Sequence, residues 1–155
     1  MARIKIEAPQ NFVFTTEISL RISDINYGGH LGHDSVLTLT HEARVRFFEK
    51  YGFTELDVFG PGIVISDAAV TYKSEGFYGH RVIIEIAVCD YTKYGCDLVY
   101  KLTEKDSGAD LAYVKTGIVF MDYSKREVVA VPEEFKKLFE AVDYKIEVQT
   151  GKGNN

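Results

Sequence analysis

Asp24, Asn26, His30, His33 and Asp34 share one short glycine-containing stretch, Asp24-Ile25-Asn26-Tyr27-Gly28-Gly29-His30-Leu31-Gly32-His33-Asp34, which runs directly into the longest apolar-periodic segment of the chain. Imidazole, carboxylate and amide groups in a loop are the side chains of general acid–base work, and an unperturbed imidazole titrates near neutrality, at about 6.5. The start of a helix adds unpaired backbone N–H groups and a dipole that favours developing negative charge. The stretch therefore reads as an active loop. Asp24 lies on the inward phase of the preceding strand, where an ionised carboxylate must be hydrogen-bonded or paired. It either braces the loop or takes part in chemistry. Asn26 either orients a reacting group or holds a tight turn. His30 and His33 are the candidate general bases. Together with Asp34 they could ligate zinc, but the spacing carries no supporting metal motif, so no metal is assigned.

Four kinds of element must position this loop. From Phe12 to Ile22 the even positions are apolar or Thr, while Thr15, Glu17, Ser19 and Arg21 alternate with them, which predicts a half-buried strand. Asp34 or Ser35 is the expected cap of a helix running to about Tyr51, with Gly52 as its stop. Val36, Leu37, Thr40, Ala43, Phe47, Phe48 and Tyr51 make its apolar face. Glu42 lies roughly opposite, pointing to solvent or to a second surface such as a subunit partner. Ile63 to Tyr72 reads as a strand buried on both faces. Arg81 to Tyr91, Tyr94 to Thr103 and Leu111 to Asp122 follow with apolar alternation and a strong turn at Lys105-Asp106-Ser107-Gly108, and the short turns between these four runs imply an antiparallel meander. Pro132-Glu133-Glu134 opens a short second helix with Phe135, Leu138, Phe139 and Val142 as its stripe. The predicted class is α+β, a curved antiparallel sheet around one long helix. Its open edges would be removed by pairing in a homodimer.

The 155 residues make one domain, with an ordered core expected over about 10–145 and a tail at 150–155. A formal net charge of −5 argues against general nucleic-acid binding. Cys89 and Cys96 fall in neighbouring predicted strands without zinc or C-x-x-C spacing and read as buried reduced thiols. Neither a signal peptide nor an apolar run of ~20 residues is present, so a cytoplasmic protein with no membrane partner is expected.

Taken in order, the 24–33 loop, Glu42-Ala43-Arg44, Phe77-Tyr78-Gly79-His80-Arg81-Val82 and Val131-Pro132-Glu133-Glu134 resemble the hotdog-fold thioesterases of the 4-hydroxybenzoyl-CoA thioesterase type. The resemblance spans Phe12 to Phe139. It implies a five-stranded sheet wrapped around the central helix, with the short helix at the C-terminal end. It further implies hydrolysis of an acyl-CoA or acyl-carrier-protein thioester, with coenzyme A entering only as part of the substrate and no other cofactor. The site would lie at a subunit interface of a homodimer or homotetramer. Asn26 stands where many relatives carry a catalytic aspartate, and His33 matches a histidine that some bacterial members use with it. An amide cannot be a nucleophile or general base, so the expected chemistry is attack by water. Imidazole, or Glu42 from a neighbouring subunit, would take the proton, and the N–H groups of His33 and Asp34 would hold the oxyanion. Two other readings remain open: a non-catalytic acyl-thioester-binding hotdog protein, and an (R)-specific enoyl-CoA hydratase-like enzyme, from whose D-x-N-P-type loop Tyr27 departs.

Overall fold

The computed structural model describes residues 2–139 and 146–150 and begins with a strand that the sequence pattern did not announce, β1 (Ala2–Ile6). The expected first strand follows as β2 (Phe14–Ser19). Its alternation holds only to Leu20. A 3-10 turn at Ile22–Asp24 then breaks the period, leaving Ile22 72% exposed while Asp24 is buried by the turn itself. The long helix, α1 (His33–Lys50), starts before the expected cap, with Gly32 at the N-cap, so His33 and Asp34 lie in its first turn. Gly52 takes a φ of +76° just beyond its end, the left-handed stop that glycine permits.

Strands β3 (Gly62–Tyr72), β4 (Arg81–Cys89), β5 (Gly95–Glu104) and β6 (Asp110–Asp122) agree closely with the apolar patterns. After them come a two-residue strand β7 (Glu127–Val128), the short helix α2 (Glu133–Leu138) and β8 (Ile146–Thr150). The main sheet has the strand order β2-β4-β5-β6-β3, all antiparallel, with β7 added to β6. Only β4, β5 and β6 form a meander. The chain leaves β3 at one edge and crosses to β4 through residues 73–80, which corrects the simple succession of hairpins expected from the short turns. As an edge strand β3 is also the least covered: residues 65–68 are exposed, where burial on both faces was expected.

α1 lies against one face of this curled sheet. Val36, Leu39, Ala43, Phe47 and Phe48 are each no more than 2% exposed and pack with Ile84, Ile86, Leu98, Val114 and Phe120. Leu37 faces outward, and Leu39 and Arg44 take the buried positions in its place. Phe135 of α2 and Phe139 just after it close the same core, with ring centroids 5.2 Å (Phe120–Phe135) and 5.3 Å (Phe47–Phe139) apart. Truncating a ring this enclosed typically costs about 3–5 kcal/mol. Leu138 is exposed, and Val142 lies outside the described residues.

The outer face of the sheet carries a second, smaller core of Ala87, Cys89 and Val99, onto which Ile6 of β1 packs. β1 pairs antiparallel with β8, from Ala2 opposite Thr150 to Ile6 opposite Ile146. Cys89 and Cys96 are free and buried, and they belong to the two different cores, so the sheet itself separates them. Burial pushes the Cys89 thiol up to about 12 and the Cys96 thiol higher still. The β5–β6 turn is held by Glu104, whose carboxylate accepts from the Asp106 N–H (3.2 Å) and the Ser107 N–H (2.6 Å). The resulting hydrogen bonds hold its pKa down at about 2. Among the described residues no helix is long and apolar enough to cross a membrane.

Candidate active site

The loop before α1 is a small hairpin. A bridge between Ile25 and Leu31 closes it, and the Asn26 N–H donates to the His30 carbonyl at 2.8 Å. Asn26 organises its tip: Oδ1 accepts from the Gly28 N–H (3.0 Å) and the His30 N–H (3.2 Å), an Asx-type arrangement. Gly29 takes a φ of +86°, which a side chain would resist. The amide oxygen of Asn26 is thus committed to holding the turn that presents His30. Asp24 braces the base, its carboxylate accepting from the Arg21 N–H at 2.8 Å with the Arg21 guanidinium 3.4 Å away, while its carbonyl accepts from the Gly32 N–H. These bonds bind the loop to the start of the helix. Leu31 N–H donates to the Gly76 carbonyl at 2.7 Å, and a Cβ on Gly76 would meet Leu20 and Leu31 at 3.1 Å, so the β3–β4 crossing packs directly on the loop.

That crossing supplies a residue the sequence reading missed. Glu75 Oε2 lies 3.3 Å from His30 Nδ1, and Phe77 flanks the same imidazole with ring centroids 5.4 Å apart. The approach is within ion-pair distance but poorly aligned, so Nδ1, shielded from solvent, lacks a hydrogen bond. Glu75 is 65% exposed at its side chain, so a small rotation would complete the bond. A histidine with one nitrogen facing a carboxylate has its tautomer and ring orientation set by that partner.

His33 is exposed at the first position of α1, and its carbonyl accepts from the Tyr72 hydroxyl at 3.2 Å. Burial, followed by the nearby Asp34 carboxylate, raises the Tyr72 phenol above its ordinary range. Tyr72 is the second missed residue. It ties the edge strand β3 to the helix start, where the N–H groups of His33 and Asp34 are free of intrahelical partners.

Glu42 stands apart from these groups. It is exposed on the outer side of α1 and pairs with Arg46, Nε to Oε1 3.0 Å. It lines a groove of about 520 Å³ between β2 and α1, together with Arg21, Thr38 and His41. Within one chain the structure brings together Asp24, Asn26 and His30 with the start of the helix, and it does not bring Glu42 to them.

Arg44, of the Glu42-Ala43-Arg44 run, is buried instead, at 5% exposure. Its Nε donates to Glu55 at 2.7 Å and its Nη1 to the Tyr100 hydroxyl at 3.2 Å, and that hydroxyl shares a hydrogen bond of 3.0 Å with Thr116. Burial opposes the Arg44 cation, but Tyr100 and Glu55 outweigh it and hold its pKa above the ordinary value. No group of three His, Cys, Asp or Glu side chains that could hold a metal ion is present among the described residues.

Residues 20–139 match the thioesterase-like superfamily. No curated protein sequence matches the chain. Among solved structures, a 1,4-dihydroxy-2-naphthoyl-CoA thioesterase from Synechocystis superposes with a TM-score of 0.72 at 16% identity, covering 80% of this chain and 93% of that one. A DHNA-CoA thioesterase from Staphylococcus aureus gives 0.69 at 21% identity over 80% of this chain and 84% of that one. A hypothetical protein from Staphylococcus aureus in complex with CoA gives 0.71 at 19%, covering 84% and 83%. At these identities the likeness is one of fold, and the fold is the hotdog arrangement of a curled antiparallel sheet around one main helix. The match over 20–139 contains the loop, α1, four of the five main strands (β3 to β6) and α2; on it, the chain belongs to the thioesterase-like superfamily.

Proposed function

We propose that the protein hydrolyses an acyl-CoA thioester to a carboxylic acid and free coenzyme A, in the manner of the 4-hydroxybenzoyl-CoA thioesterase type. The observation that carries this is His30, facing Glu75 and presented by a rigid loop that leads straight to the open N–H groups of α1. In this reading His30 Nε2 takes a proton from water and the resulting hydroxide adds to the thioester carbonyl. The N–H groups of His33 and Asp34 receive the oxyanion. When the intermediate collapses, the C–S bond breaks and the proton on His30 passes to the departing thiolate. Asn26 and Asp24 keep the loop in shape. The neighbour crystallised with CoA supports a ligand of that kind, and the neighbours named as thioesterases favour hydrolysis over hydration or passive binding.

The exposed middle of β3 supports association with a second copy along that edge, since unpaired strand edges are otherwise open to wrong partners. Thiol release from short, medium, long and aromatic acyl-CoAs, compared between the native protein and His30→Gln, His33→Ala and Asn26→Ala, tests the assignment. His30→Gln is expected to lose turnover by about a hundredfold or more. A native protein that binds acyl-CoA and releases no thiol from any of them would be a binding module instead.

A further inference from the structure

We propose that β1 completes an anion subsite for the nucleotide phosphates of coenzyme A, a proposal that rests on the acyl-CoA reading above and deepens it. β1 and β8 form a two-stranded ribbon outside the 20–139 match. Ile6 anchors β1 on the outer face of the main sheet, and alternation sends Arg3 and Lys5 the other way. Beside the last turns of β3 the strand bounds a groove of about 420 Å³, lined by Arg3, Ile4 and Lys5 and by residues 70–73. Lys73 supplies a third cation, its ammonium 5.2 Å from the centroid of Tyr113.

Among the described residues no carboxylate lines this groove, in a protein whose net charge is −5. Thr71, also in the lining, has a hydroxyl shielded from solvent and without a hydrogen-bond partner, a donor in wait for an acceptor. Lys5 has Glu7 at 4.0 Å, both about half exposed, and Glu147 stands opposite it in the β1–β8 register. The exposed Lys5–Glu7 pair is weak enough to yield to a phosphate dianion. Arg3 and Lys73 are therefore the principal cations of the subsite.

Tyr72 links the groove to the candidate active site, since it lines the one and donates to the His33 carbonyl at the other. A ligand with its thioester at the start of α1 can extend its anionic end past Tyr72. Coenzyme A carries a pyrophosphate and a 3′-phosphate there, whereas the prosthetic arm of a carrier protein carries a single phosphodiester. Three cations and a hydroxyl fit the former.

The test uses the full chain and the double variant Arg3→Ser/Lys73→Ser. KM is compared for an acyl-CoA and for the acyl-N-acetylcysteamine thioester of the same acid, which has no phosphate. Binding of adenosine 3′,5′-bisphosphate is measured separately by calorimetry. The expected result is a rise of about tenfold in KM for acyl-CoA, with kcat and the phosphate-free substrate unaffected, and a matching loss of bisphosphate affinity. Unchanged acyl-CoA KM together with unchanged bisphosphate binding overturns the subsite. If the native protein releases no thiol, the hydrolase reading fails, and the bisphosphate titration of native and variant still decides the subsite.

Discussion

Two polar clusters lie at opposite ends of α1's influence, and they differ in how completely they are satisfied. Around Arg44, every group that burial deprives of water has found a partner: guanidinium to Glu55 and Tyr100, phenol to Thr116. Around the 24–33 loop, His30 Nδ1 is shielded yet unbonded, and on the neighbouring strand the Thr71 hydroxyl is in the same condition. A saturated network can only stabilise, because each hydrogen bond it might offer a ligand is already made. The unsaturated groups border the open helix start and the basic groove, where an incoming molecule could complete them. Charge alone does not separate the two clusters; spare hydrogen-bonding capacity does.

The sharpest way to break that contrast is Arg44→Met. Removing one partner of a buried pair is expected to cost about 3 kcal/mol of unfolding free energy in urea. The folded fraction should turn over thioester normally. A loss under about 1 kcal/mol would show that the network is dispensable for stability. Next comes Glu75→Gln, expected to lower turnover about tenfold while leaving the urea midpoint nearly unchanged, as loss of an orienting partner of a histidine does. Equal activity in that variant would leave His30 oriented by something other than Glu75. The smallest effect concerns Glu104, a satisfied group at the β5–β6 turn. Its folded pKa of about 2 lies below the ordinary 4.5, so its contribution is fully present above pH 4.5 and is lost as pH falls towards 2. Urea midpoints taken down this range should drop less steeply in Glu104→Gln than in the native protein.

Much of this was legible because local pattern dictates local structure. Strict alternation in β4, β5 and β6, and Gly52 after a long apolar helix, each have a single physical reading. The loop was legible too, since its chemistry-bearing residues are neighbours in sequence. Its partners were not: Glu75 lies in the β3–β4 crossing and Tyr72 at the end of β3, and both reach the loop only through the strand order, which is not written in alternation. The same gap explains β3. Its apolar residues on both parities suggest burial, whereas the edge position that exposes Ile65 follows from pairing with β6. Arg44 was hidden for another reason. A charged residue on a helix is read as outward, and only Glu55 and Tyr100, from two separate elements, make its burial tolerable.

The pairing of Ala2 with Thr150 places two positions from opposite ends of the chain side by side, roughly 5 Å apart. In the native connectivity that contact closes nearly the whole polymer into a loop, which costs about 3 kcal/mol more chain entropy than a turn of about four residues. β1 and β8 are therefore expected to join late, after the 81–122 meander has formed from contacts local in sequence. A circular permutant, with a short linker joining β8 to β1 and new ends cut in the exposed turn at 124–125, would turn that closure into an ordinary hairpin. The arm would then form early, and the basic groove beside it would be organised before the edge strand it borders.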